Sequence, residues 1–144
     1  MPGVNIDGQI TVTENVADLG GVQVAYDALL VYLEAQGDTL ATPGADGSPA
    51  ATPLATPVGG LDATPVGGEV ALTQQQRFFV AAATVWREVI RDESLETQVR
   101  VDSHAPAEQR ATVPIQNMDE FYAAFGIEPG DAMYLPPEER ITIW

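Results

Sequence analysis

The chain of 144 residues carries 21 Asp and Glu against 6 Lys and Arg, a formal charge of −15. That excludes a nucleic-acid surface, which binds by neutralising phosphates with cations. With no cysteine, neither a disulfide framework nor a thiolate metal site is available. Residues 41–69 offer little that packs, so the core must come from two blocks of roughly 40 and 75 residues.

Residues 1–10 read as an extended lead-in with a turn at Asp7-Gly8. They have neither the basic nor the apolar region of a signal peptide, and no run of 18 apolar residues predicts a membrane span. From Glu14 to about Gln36, Val16, Leu19, Val22, Tyr26, Leu29, Leu30 and Leu33 recur at three and four residues, the period of a core-facing helix. Gly37 is its stop signal.

Within this helix Glu14 and Asp18 lie one turn apart and share a face, where like charges cost about 0.2–0.5 kcal/mol unless a cation sits beside them. Gly20 and Gly21 each cost about 1 kcal/mol relative to alanine, which predicts close packing against a neighbour. Thr11 with Glu14 also matches a capping box, in which the carboxylate reaches back to a backbone N–H.

Between Ala41 and Gly68 the triplet Ala-Thr-Pro occurs four times and Ala-Thr-Pro-Val-Gly-Gly twice. Such low complexity cannot bury a face, and a flexible surface insertion without chemistry is expected over 41–69. Order returns at Leu72: Thr73 with Gln76 predicts a capping box, and Phe78, Phe79, Ala82, Ala83, Val85, Trp86, Val89 and Ile90 predict a helix to about Arg91, covered on both sides. Trp86 reads as a core anchor.

A short helix over Leu95–Val101 follows, and residues 102–115 hold Asp102, His104, Pro106 and Arg110. Asn117 with Glu120 predicts a cap for a helix through Phe121, Tyr122 and Phe125, ended by Gly126. The end, Ile141 to Trp144, reads as a short docked strand or extended tail.

Glu14-Asn15-Val16-Ala17-Asp18-Leu19-Gly20-Gly21 resembles the Glu-Asn-x-Ala-Asp-x-Gly-Gly signature of the neprilysin and endothelin-converting-enzyme family of zinc metallopeptidases. The resemblance implies that Glu14 is the third protein ligand to zinc and Asp18 an outer group holding a zinc-bound histidine, roles that carboxylates suit. Asp102-Ser103-His104-Ala105-Pro106 with Arg110 is similar to the family's Asp-x-His-Ser-Pro and following Arg. By that resemblance His104 stabilises the oxyanion of the tetrahedral intermediate and Arg110 binds substrate carbonyl groups. Ala105 replaces the usual Ser, and Arg110-Ala111-Thr112-Val113 replaces Arg-Val-Asn-Gly, which leaves the substrate-facing strand expected after Arg110 less defined. The family's cysteines are absent, as in bacterial members without disulfides.

A site of this class also needs His-Glu-x-x-His, and the chain has one histidine. The expectation is therefore a mainly α protein, the helical C-terminal part of a thermolysin-like catalytic domain, laid out as 1–40 (lead-in and zinc-ligand helix), 41–69 (insertion) and 70–144 (helical remainder). Its function would be peptide-bond hydrolysis on peptide or protein substrates together with a missing N-terminal half, extracellular or in the cell envelope as in relatives, and inactive alone. The alternative is a non-catalytic peptide- or protein-binding module that keeps the fold. Either way, helix faces left uncovered predict self-association or marginal stability.

Overall fold

The computed structural model describes residues 5–37 and 72–143; the insertion at 41–69 and Trp144 lie outside them. Helices run over Gly8–Ala35 (α1), Gln74–Thr84 (α2), Asp92–Val101 (α3), Ala107–Gln116 (α4) and Asp119–Phe125 (α5), with a 3-10 turn at Pro137–Glu139. No strand occurs among the described residues, so the mainly α architecture stands and the strand expected after Arg110 does not. That stretch is the body of α4.

α1 begins six residues earlier than its apolar pattern indicates. Asp7 caps it, its Oδ1 accepting from Gln9 N at 2.9 Å, and the Thr11 hydroxyl donates to Asp7 O. The Asp-Gly pair is thus a helix start, because an aspartate satisfies an orphan N–H here as readily as it makes a turn. This removes the capping-box reading of Glu14, whose side chain is left free for other partners. Gly37, at φ +72°, ends the helix as expected.

The Thr73–Gln76 box forms in both directions: Gln76 N donates to Thr73 Oγ1 at 3.1 Å and Thr73 N to Gln76 Oε1 at 3.0 Å. α2 stops at Thr84, short of Arg91, where i→i+3 bonds from Trp86 N to Ala83 O and Arg87 N to Thr84 O tighten the chain. Beyond that point Val85 and Val89 are exposed, and an amphipathic pattern with nothing to pack against does not sustain a helix. Nor is α2 covered on both sides, since Val80 also faces outward.

α3 starts three residues before Leu95. Asp92 and Glu93 in its first turn and Arg100 in its last suit the helix dipole, although no side chain caps it. α4 follows Pro106, whose fixed φ suits the entry to a helix, and it tolerates Pro114 because only one N–H is lost, two residues from its end. Asn117 is not the cap of α5 but closes α4, donating through Nδ2 to Val113 O and accepting Ile141 N on Oδ1 at 2.8 Å. This bond holds the tail as an extended segment. α5 begins after Met118 and ends at Gly126 with φ +63°, a conformation that favours glycine.

α1 packs on α4, α2 on α4 and α5, and α4 on α5. The core is aromatic. Tyr26, Phe79 and Met118 are each 1% exposed, and Phe79 meets Tyr26 at 5.6 Å, Phe78 at 5.3 Å and Phe121 at 5.4 Å between ring centroids. Leu19, Tyr26 and Leu33 form the buried stripe of α1, while Val16 is exposed. The opposite face, with Val24 and Val31, is open, and a Cβ placed on Gly21 would meet nothing within 4 Å. Close packing on Gly21 is therefore not made by any described residue.

Tyr26 gives the core a pH dependence. Burial raises its pKa above the ordinary value near 10, only partly offset by the hydrogen bond from Gln75, with Glu120 and Asp27 adding repulsion. Its contribution to stability is present below that ordinary value and is lost as pH rises through it towards the higher folded value. Urea unfolding between about pH 9 and 12 should show that alkaline loss, and Tyr26→Phe should flatten it.

Candidate active site

Three separate segments deliver the expected residues to one place. α1 presents Glu14 and Asp18 on adjacent turns, the loop before α4 supplies Asp102 and His104, and α4 supplies Arg110. Asp18 and Arg110 form a side-on bidentate pair, Nε to Oδ2 at 2.6 Å and Nη2 to Oδ1 at 2.7 Å. Both are largely buried, with side chains 14% and 15% exposed. Arg110 Nη2 also lies 3.9 Å from Glu14 Oε2, so the cation that the two carboxylates call for stands beside both.

His104 is aimed by Asp102. The same carboxylate oxygen, Oδ1, accepts the His104 backbone N–H at 2.8 Å and lies 2.8 Å from Nδ1. With Nδ1 so held, Nε2 points to Glu14 Oε2 at 3.4 Å, an ion pair when the imidazole is protonated. The backbone N–H of His104, then its ring, hold the Asp102 carboxyl below the usual carboxylate range. The support this bond gives to the loop is present above the ordinary value near 4 and is lost as pH falls through the lower folded value. Arg110 is moved the other way: its hydrogen bonds to Asp18 raise its pKa, against a smaller opposing effect of burial, and it stays charged throughout.

Trp86 is the residue that sequence reasoning placed elsewhere. It is half-buried and its indole carries the Arg110 guanidinium, Cζ lying 4.0 Å from the ring centroid. Nothing in the spacing of α2 pairs position 86 with position 110, because the contact depends on how α2 ends against α4.

Chemically, the cluster offers one carboxylate shared by an imidazole and a guanidinium, and two oriented donors. As a metal site it is incomplete: no group of three or more His, Cys, Asp or Glu among the described residues is arranged to hold an ion. Glu14 by itself is one oxygen donor. The described residues therefore do not by themselves constitute a zinc site.

Comparison with known proteins places the chain in a family. Residues 60–141 match peptidase family M13. The chain belongs to that family. It is 30% identical over 141 residues, 98% of its length, to neprilysin-21 of Caenorhabditis elegans, of which it spans 15%. To the neutral endopeptidase of Lactobacillus helveticus it is 48% identical over 62 residues, 43% of this chain and 10% of that protein. Its fold matches the zinc metalloprotease Zmp1 of Mycobacterium tuberculosis, solved in an open state and in complex with an inhibitor, with TM-score 0.72 and 29% identity over 99% of this chain and 18% of Zmp1. The M13 chain thus spans a small part of the length of the relatives it matches.

Proposed function

We propose that these residues form the C-terminal part of the catalytic unit of a zinc metalloendopeptidase, acting with a His-Glu-x-x-His segment that is not among them. The observation that carries the reading is the convergence of Glu14, Asp18, His104 and Arg110 from segments about ninety positions apart. Glu14 would complete a zinc site begun by two imidazoles, Asp18 would orient one of them, and His104 and Arg110 would stabilise the oxygen that gains charge during peptide hydrolysis. Each Asp18 oxygen keeps a lone pair beyond its bond to Arg110, so holding an imidazole is compatible with that pair. The substrate would be a peptide or protein, and the setting extracellular or the cell envelope.

α1 is long and apolar enough to cross a bilayer by length and composition, with mean hydropathy 1.3 over an 18-residue window, although it has no unbroken run of 18 apolar residues. We read it as a core helix, because Tyr26 and Leu33 are buried within the protein and Asp18 is ion-paired.

Zinc titration and peptide cleavage test the reading. The 144-residue chain alone should hold no stoichiometric zinc and cleave nothing. Joined to the His-Glu-x-x-His part, it should do both, and Glu14→Gln should weaken zinc retention at least about 100-fold, since losing even an outer partner of a ligand costs 10–100-fold. Stoichiometric zinc and cleavage by the chain alone would overturn the need for a second part. Unchanged zinc affinity in Glu14→Gln would overturn the ligand assignment and favour a peptide-binding module.

A further inference from the structure

We propose that Trp86 is a positioning residue for Arg110, a role that matters for catalysis only if Arg110 acts as proposed above. The guanidinium has two partners, a carboxylate and a ring. In its own plane, Nε and Nη2 are fixed by the two oxygens of Asp18 at 2.6 and 2.7 Å. Its Cζ also lies over the Trp86 ring, 4.0 Å from the centroid. A side-on carboxylate pair leaves the guanidinium free to rock about the axis joining the two groups, and a ring packed against Cζ restricts that freedom.

The contact suits arginine in particular, because its planar, weakly hydrated cation both stacks and forks, whereas an ammonium does neither. It also leaves donors to spare. Nη1 has no acceptor among the described residues, and the outer N–H of Nη2 has only Glu14 near it, at 3.9 Å. Trp86 and Asp18 therefore fix the plane and direction of an edge whose remaining donors are uncommitted. Trp86 is itself held at the point where α2 tightens, by the bond from its N–H to Ala83 O at 3.2 Å.

The test reads Arg110 directly. In the 144-residue chain, the ¹⁵Nε order parameter of Arg110 should be that of a rigid group, about 0.8 or higher, and fall below about 0.6 in Trp86→Leu, which keeps apolar bulk without a ring. Trp86→Phe should restore it. An unchanged value in Trp86→Leu would show that Asp18 alone suffices, and a loss in Trp86→Phe equal to that in Trp86→Leu would show that the ring face is not what matters; either overturns the proposal. These measurements do not depend on peptide cleavage, so they fail separately from the proposed activity. In the assembled peptidase Trp86→Leu should lower kcat/KM about tenfold, the order of a partly desolvated cation–π contact, and add no loss once Arg110 is Ala. An equal further loss in the Arg110→Ala background would likewise overturn it.

Discussion

Phe79→Ala should unfold much of the protein at room temperature. Phe79 is 1% exposed and meets four rings, at 5.6 Å to Tyr26, 5.3 Å to Phe78, 5.4 Å to Phe121 and 6.3 Å to Phe125. Truncating such a phenylalanine typically costs about 3–5 kcal/mol, and each aromatic pair adds about 0.5–1.5 kcal/mol beyond area burial. A domain of this size has a total stability of about 5–15 kcal/mol, so one truncation removes a large share of it. Urea unfolding followed by near-ultraviolet dichroism should show the midpoint falling steeply. Phe125→Ala, at the half-exposed rim of the same cluster, should cost less than half as much. A loss under about 1 kcal/mol for Phe79→Ala would mean that the cluster is not the core.

The second large effect belongs to the Asp18–Arg110 pair. Removing one partner of a fully buried pair costs about 3–5 kcal/mol because the other charge is left unpaired. Here Glu14 and His104, 35% and 45% exposed, open the cluster to water on one side, so the expected loss for Asp18→Ala is nearer about 2 kcal/mol. Arg110→Ala leaves Asp18 and Glu14 as unrelieved like charges one turn apart and should cost a similar amount. The double variant should lose less than the sum, by about 1–2 kcal/mol. A cycle that adds within about 0.5 kcal/mol would show that the pair contributes nothing to the fold.

Some of this was legible before any coordinates. The 3.6-residue apolar period located Leu19, Tyr26 and Leu33 on one face of α1. The Thr73–Gln76 box and Gly126 were readable because each is a local device, settled by a few neighbouring residues and the backbone between them. The candidate residues were readable for the same reason at a larger scale, since the Glu14–Gly21 and Asp102–Arg110 motifs carry their residue types and spacing with them. Asp7 was readable in type but not in role, as an aspartate before glycine serves a turn and a helix start equally well.

Where helices stopped was decided elsewhere. The pattern from Phe78 to Ile90 is amphipathic throughout, yet the helix ends at Thr84, beyond which Val85 and Val89 are exposed and bury nothing. The resemblance led to a strand after Arg110, and packing against α1 made 107–116 a helix.

By itself the amino-acid sequence determined the helical class, the family and the candidate residues Glu14, Asp18, His104 and Arg110, since composition, periodicity and motif spacing are properties of the chain alone. Only the tertiary structure decided how those residues meet: that Arg110 neutralises the Glu14–Asp18 pair, that Asp102 aims His104 at Glu14, and that Trp86 lies under Arg110. Those are distances between segments far apart in the chain, and they exist only once α1, α2 and α4 are packed together.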